Sequence, residues 1–84
     1  MISINLVFTD AKKIRELNRK YRGIDKVTSI LTFYYGQAIP NENLILGDIV
    51  ICPPEAKRKN LSIDELIIHG IKSLLSEIST TKIF

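Results

Sequence analysis

The sequence has 84 residues, of which 45% are hydrophobic and 25% are charged, and its formal net charge is +3. This length predicts a single domain, 1–84, and the hydrophobic content excludes an intrinsically disordered chain. The single cysteine, Cys52, excludes an intramolecular disulfide, and no apolar run approaches the ~18 residues of a membrane span. We therefore expect a soluble, cytoplasmic protein whose mild positive charge helps it to approach a polyanion.

The first element is predicted to be a half-buried strand, because apolar residues alternate with others over Ile2–Phe8. Thr9 and Asp10 are good N-caps for the amphipathic helix that follows. Gly23 stands just past its last apolar residue, as the residue after a helix often does.

Two further strands are predicted in the middle of the chain. Residues 27–35 are rich in β-branched and aromatic side chains, and residues 44–52 form a second such run. The intervening segment 36–43, which contains Pro40, is predicted to be a loop. Gly47 inside the third strand indicates a bulge or a close approach of another backbone.

The last part of the chain is predicted to be helical. Residues 53–54 are both proline and end the third strand, and residues 55–60 are predicted to form one short helical turn. Ser62 and Glu65 form a capping box that opens the last helix. The apolar face of this helix is predicted to consist of Ile67, Ile71, Leu74, Leu75 and Ile78.

The order strand, helix, strand, strand, helix predicts the fold class. We expect an α/β domain of the two-layer α+β kind, with a small mixed β-sheet and helices packed mainly on one face. Because the first two strands flank a helix, they are candidates for a parallel right-handed crossover.

The loop after the first helix presents two cations, Arg22 and Lys26. A guanidinium can bind two phosphate oxygens at once, and a lysine adds a point charge. Alternatively, Arg22 pairs with Asp25 to hold the turn, as surface charges often do. The residues alone leave both interpretations open.

Asp48 lies inside the apolar third strand, where a carboxylate is costly to bury without hydrogen bonds. It either lines a cleft or accepts backbone N–H groups in a turn.

His69 is the only histidine, and Gly70 follows it inside the last helix. A lone imidazole on a helix is either a ligand or a hydrogen-bonded structural residue. Gly in a helix costs about 1 kcal/mol relative to Ala, so Gly70 indicates a close approach by another backbone.

Taken together, these segments resemble the YbeY family of endoribonucleases. Residues 17–33, LNRKYRGIDKVTSILTF, are similar to the family signature LNxxYRGxDKPT-[DN]-VLSF. Residues 46–52, LGDIVIC, resemble its LGDIVI-[SC] strand, and residues 65–70, ELIIHG, resemble the start of its metal helix, E-L-x-x-H-G-x-L-H-L-x-G-Y-D-H. The resemblance covers residues 2–78.

The resemblance implies a zinc-dependent hydrolase that cleaves single-stranded RNA in 16S ribosomal-RNA maturation and ribosome quality control. It implies that Arg22 is the catalytic arginine that binds an RNA phosphate, and that Lys26 joins it in RNA binding. Thr28, Ser29 and Asp48 are then expected to line the cleft. The implied partner is ribosomal RNA or the small ribosomal subunit, with no membrane involved.

The sequence departs from the family in its metal motif. His69 matches the first metal-binding histidine, but Ser73 and Ser79 occupy the positions of the other two. Because a hydroxyl is a poor zinc ligand, we expect zinc to bind weakly or not at all and catalysis to be impaired. The domain is also expected to be truncated at its C-terminus. Three carboxylates are alternative oxygen ligands for a harder ion such as Mg²⁺: Asp48, Glu65 and Glu77.

Three functions therefore stay open at the level of the sequence. The first is a working endoribonuclease whose metal site is completed in another way. The second is a non-catalytic module that binds RNA or a ribosomal partner, and the third is a decayed remnant with a fold and no activity.

Overall fold

The computed structural model describes the backbone of residues 2–39 and 43–81, and the side chains of residues 2–36 and 45–77. The elements, in chain order, are β1 (Ile2–Phe8), α1 (Ala11–Arg22), β2 (Ile30–Ile39), β3 (Asn43–Ile51), α2 (Pro53–Arg58) and α3 (Ile63–Thr81). This confirms the predicted order. The short helical turn expected over 55–60 is the helix α2, which begins two residues earlier, at Pro53, because proline is well suited to the first turn of a helix. No helix within the described ranges has the length and apolar character needed to cross a membrane.

The three strands form one mixed sheet in the order β1-β3-β2. β3 is parallel to β1 and antiparallel to β2, so that Val50 is the register partner of both Val7 and Leu31. The mixed sheet is confirmed, but the predicted parallel crossover between the first two strands is wrong. β2 folds back on β3, and β3 inserts between β1 and β2, which therefore run in opposite directions.

The boundaries of β2 and β3 differ from the prediction. β2 begins at Ile30, three residues later than expected, because residues 27–29 belong to the loop after α1. At the other end, residues 36–39 and 43 extend the two strands into the predicted loop, and residues 40–42, with Pro40, lie outside the described part of the chain. The extension passes through a register shift beside Gly36, whose positive φ of 58° suits a glycine.

The helices divide between the two faces of the sheet. Neighbouring residues of a strand point to opposite faces, so Val50 faces α1 whereas Ile49 and Ile51 face α2 and α3. On the α1 face the buried cluster is Ile14, Leu31, Val50 and Cys52. On the other face it is Leu46, Ile49, Ile51, Ala56, Leu66 and Leu74. Two of the three helices thus share one face, in agreement with the predicted fold class.

Both ends of α1 are fixed by the predicted residues. The side chain of Asp10 accepts a hydrogen bond from the backbone N–H of Lys13 at 2.8 Å. Gly23 adopts a left-handed conformation with a φ of 71°, and its N–H donates to the carbonyl oxygen of Arg19 at 3.1 Å. This cap makes Arg22 the last helical residue, directly beside the edge of the sheet.

The buried face of α3 is rotated from the predicted one. Its stripe is centred on Gly70, with Leu66 and Leu74 one turn to either side. Leu74 is buried as predicted, but Ile71 and Leu75 are 36% and 47% exposed. The predicted Ile67 packs at the edge of the cluster, and the side chain of Ile78 lies outside the described residues. The rotation arises because α3 packs on the sheet through Gly70. Glycine is not counted as an apolar residue when a helix face is predicted from hydrophobic periodicity.

Two glycines bring elements closer than any other residue would allow. A Cβ at Gly47 would overlap the backbone carbonyl of Phe33 in β2, which confirms the predicted close backbone approach. A Cβ at Gly70 would lie 2.9 Å from Cδ1 of Ile49. The approach at Gly70 is therefore to a side chain of β3, and the expectation of a second backbone there is wrong.

Candidate nucleic-acid interface

A groove lies at the outer edge of β2 and is bordered by α1, which packs on one face of the sheet, and by α3, which packs on the other. Its volume is about 370 Å³. We call it the edge groove. Its lining residues are Arg22 of α1, Ile30, Leu31 and Thr32 of β2, and His69 and Ser73 of α3. Arg22 and His69, which are far apart in the sequence, thus share one surface.

Local structure explains why these side chains point into the edge groove. Arg22 is placed by the cap at Gly23, which ends α1 beside β2. His69 and Ser73 are one helical turn apart and lie on the same flank of α3. Because the buried stripe centred on Gly70 faces the sheet, this flank is turned towards the outer edge of β2.

Arg22 has no ion-pair partner among the described side chains. The alternative in which it pairs with Asp25 is wrong, because Asp25 binds Arg15, with 2.8 Å between Nε and Oδ1. This hydrogen bond holds the pKa of Asp25 below its ordinary value. The exposed Arg22 guanidinium is therefore available to an anion in the edge groove.

The loop that carries Lys26 is held by a buried asparagine. Asn18 is only 3% exposed, and its side-chain N–H group donates to the carbonyl oxygen of Lys26 at 3.0 Å. Its Oδ1 has no hydrogen-bond partner among the described residues. The ammonium-bearing side chain of Lys26 is exposed and does not line the edge groove. Sequence reasoning did not single out Asn18, although it stands in the segment that resembles the family signature.

Thr28 and Ser29 lie at the entry to β2. The hydroxyl of Thr28 donates to the carbonyl oxygen of Ile30 at 3.4 Å. Ser29 is buried, and its carbonyl oxygen accepts the N–H of Cys52 at 2.9 Å. Neither residue is on the wall of the edge groove, and both hold the start of β2 in place.

A second cavity of about 600 Å³ opens on the α1 face of the sheet. We call it the aromatic cavity, because Tyr21, Phe33 and Tyr35 contribute to its walls. Tyr21 packs edge-to-face on Phe33, with 5.3 Å between ring centroids. Arg22 also lines this cavity and is therefore common to both.

Asp48 lies on the wall of the aromatic cavity. Its Oδ1 accepts a hydrogen bond from Nδ2 of Asn5 at 2.9 Å, and its Oδ2 accepts one from the hydroxyl of Tyr35. The bond to Asp48 raises the pKa of Tyr35. Asp48 is thus partnered by side chains of both neighbouring strands, and neither Asn5 nor Tyr35 was foreseen because their pairing depends on the sheet order.

Comparison with known proteins decides the family. The sequence matches the family described as "Endoribonuclease YbeY" over residues 1–76. The chain belongs to the endoribonuclease YbeY family. It is 41% identical over 80 residues to the endoribonuclease YbeY of Thermodesulfovibrio yellowstonii, which covers 86% of this chain and 50% of that protein.

Other YbeY relatives give the same picture. Identity is 37% over 82 residues with the YbeY of a Sulfurihydrogenibium species, covering 88% of this chain and 54% of that protein. It is 32% over 80 residues with the YbeY of Buchnera aphidicola, covering 86% and 51%. The chain spans about half the length of the curated relatives it matches.

Few side chains that can bind a metal ion stand at the metal-binding positions of the YbeY motif. His69 is exposed and Ser73 is half-buried beside it in the edge groove, whereas the side chain of Ser79 lies outside the described residues. Across side chains 2–36 and 45–77, no three residues of the types His, Cys, Asp and Glu come together. The alternative oxygen ligands do not converge either, since Asp48 is on the α1 face and Glu65 is on α3.

Proposed function

We propose that this chain binds single-stranded ribosomal RNA through the edge groove and that it is, at most, a weak endoribonuclease. In this proposal it acts in the cytoplasm on 16S ribosomal RNA, within ribosomal-RNA maturation and ribosome quality control. The small ribosomal subunit is its partner. The observation that carries the proposal is the convergence of Arg22 and His69 on one groove from opposite faces of the sheet.

The chemistry of the groove suits a phosphodiester. Arg22 can bind two phosphate oxygens in a fork, and an N–H of the His69 imidazole can donate to a third oxygen. No described carboxylate holds Arg22, so binding RNA breaks no ion pair. The net charge of +3 favours the approach of the polyanion. Lys26, exposed in the adjoining loop, adds a further phosphate contact in this proposal.

Weak catalysis follows from the donors on α3. A catalytic zinc ion takes three protein ligands and keeps one position open for water. One imidazole beside a serine hydroxyl does not fit such an ion, because hydroxyls bind zinc poorly. We therefore assign no metal-dependent step to these residues. Arg22 is the residue that would neutralise charge on a phosphate under attack, as the family resemblance implies.

Binding of a fluorescent single-stranded RNA, followed by anisotropy over a series of salt concentrations, tests the phosphate contact. Arg22→Ala should weaken binding and reduce the slope of log K against log salt by about 0.7, the value for one phosphate contact to a single strand. The matched control is Arg19→Ala, which removes an exposed arginine of the same helix that lines neither cavity. Equal effects of the two substitutions would contradict a role for the edge groove.

Metal content and cleavage test the proposed loss of activity. The purified chain, equilibrated with zinc and desalted, should retain much less than one zinc per chain and should leave the labelled RNA intact. Stoichiometric zinc together with cleavage would instead support a working endoribonuclease. If RNA does not bind at low salt, the binding proposal fails and a decayed remnant is the better description.

A further inference from the structure

We propose that the aromatic cavity is a nucleobase subsite that prefers a base carrying an exocyclic amino group, which means guanine, adenine or cytosine, over uracil. The inference rests on the proposed RNA binding at the edge groove and deepens it. It assigns a second contact to the nucleotide whose phosphate Arg22 holds.

The walls of the cavity provide surfaces for stacking. Tyr21 and Tyr35 are 58% and 50% exposed, although aromatic rings in a small domain gain by burial. Phe33 backs Tyr21 with an interplanar angle of 71°. Unstacked RNA bases bind proteins chiefly by stacking on such rings. The cavity, at about 600 Å³, is larger than any nucleobase.

The polar group in the cavity is an acceptor. Each oxygen of Asp48 already accepts one hydrogen bond, from Asn5 or from Tyr35, and each keeps a further lone pair. An ionised carboxylate has no hydrogen to donate, so it binds bases through their N–H groups, and an exocyclic amino group is the donor that cytosine, adenine and guanine share. Uracil presents a carbonyl oxygen where cytosine presents an amino group. Its only ring donor on that edge, N3–H, is flanked by two carbonyl oxygens that the carboxylate repels, so uracil binds Asp48 more weakly.

Arg22 connects the two sites. It lines both the edge groove and the aromatic cavity, so one residue borders the position of the phosphate and the position of the base. Phosphate contacts position a nucleic acid, whereas base contacts provide selectivity. In this arrangement Arg22 supplies the first and Asp48 the second.

Two comparisons of RNA ligands test the inference on the unaltered chain, so the result does not depend on a variant that folds. The first replaces the central cytidine of a short oligocytidine by an abasic ribose, which keeps every phosphate. The abasic ligand should bind about tenfold more weakly, as expected for the loss of one stacked base. The second compares oligocytidine with oligouridine of equal length, and cytidine should bind several-fold more tightly.

Variants then connect these preferences to the named residues. Tyr21→Ala should shrink the difference between the intact and abasic ligands, whereas Tyr21→Phe should retain it. Asp48→Asn should remove the preference for cytidine, because its amide can donate to the carbonyl of uracil.

The outcomes separate this inference from the binding proposal. If the abasic ligand binds as tightly as its parent while Arg22→Ala still weakens both, the base subsite is refuted and the phosphate groove stands. A stronger affinity for uridine would refute the assigned selectivity. If neither ligand binds, both proposals fail together.

Discussion

The guanidinium of Arg15 binds the carboxylate of Asp25 across the loop that ends α1, with 2.8 Å between Nε and Oδ1 and 3.4 Å between Nη2 and Oδ2. Both side chains are more than half exposed, so solvent screens the pair and its contribution to stability is small. Its importance is positional. By holding Asp25 on the α1 surface, Arg15 leaves Arg22 free to face the edge groove.

Arg22 has no ion-pair partner among the described side chains, so its replacement should have little effect on the stability of the fold. Arg22→Ala should shift the melting temperature, followed by circular dichroism, by no more than a degree or two, because it removes no ion pair within the described residues. Arg19→Ala provides the matched baseline for losing a surface arginine of α1. A much larger drop for Arg22→Ala would show that the residue is structural and would weaken its assignment to RNA.

The carboxylate of Glu55 should make the fold sensitive to acid. Glu55 is buried, and hydrogen bonds from Arg58, with 2.6 Å between Nε and Oε1, lower its pKa from an ordinary 4.5 to about 2. A lowered pKa in the folded state stabilises the fold above the ordinary value. This contribution is therefore complete above pH 4.5 and is lost as the pH falls towards about 2.

Arg58→Gln tests this linkage, because it removes the main cause of the lowered pKa. The variant should melt several degrees lower at neutral pH and should show a flatter decline of stability between pH 4.5 and about 2. Lys57→Gln removes a cation from the same short helix without touching Glu55 and serves as the control. An unchanged acid profile in Arg58→Gln would show that this pair does not govern the acid response.

Gly47 should be among the least replaceable residues of the sheet. Gly47→Ala places a methyl group into the carbonyl oxygen of Phe33, and only a shift of the β2–β3 pair can relieve the overlap. We expect a loss of about 3 kcal/mol or more in the free energy of unfolding, measured by urea titration. Gly23→Ala is the contrast, since it meets no atom within 4 Å and has only its positive φ to accommodate, at about 1 kcal/mol. Similar costs at the two sites would contradict the close approach.

Ser73→His should raise zinc affinity, because it adds an imidazole one helical turn from His69 in the same groove. Histidines spaced in this way are a recognised zinc pair on helices. The control is Ile71→His, which adds an imidazole two positions from His69, where side chains do not face each other. Zinc binding followed by a competing chelator should strengthen only for Ser73→His. Equal gains would mean that the groove does not orient the ligands.

The parts of the fold that depend on neighbouring residues were predictable, and those that depend on distant pairing were not. The caps at Asp10 and Gly23 follow from local chemistry and stand where the sequence indicates. The insertion of β3 between β1 and β2 depends on pairing between residues that are distant in the sequence, and no local pattern indicates it. The rotated face of α3 was missed because Gly70, the residue that docks, carries no hydrophobic signal.

In the candidate site, too, single residues were predictable from local sequence, whereas their spatial arrangement was not. The motifs named Arg22 and His69 individually, but only the fold places them on one groove. Asn18 was overlooked because an asparagine in a helix is expected to be exposed, and its burial is known only from the structure. Tyr35 and Asn5 were overlooked because their contact with Asp48 requires the strand order. The role of Lys26 in RNA binding stays a prediction, and Thr28 and Ser29, which were expected to line the cleft, are on the wall of neither cavity.

The edge groove has a consequence for solubility. Among the described strands, β2 lies at the outer edge of the sheet, and this edge borders the groove. Outer strands are templates on which other chains add strands and aggregate. RNA bound at Arg22 and His69 would cover this edge of β2. Bound RNA would therefore reduce the aggregation of the protein.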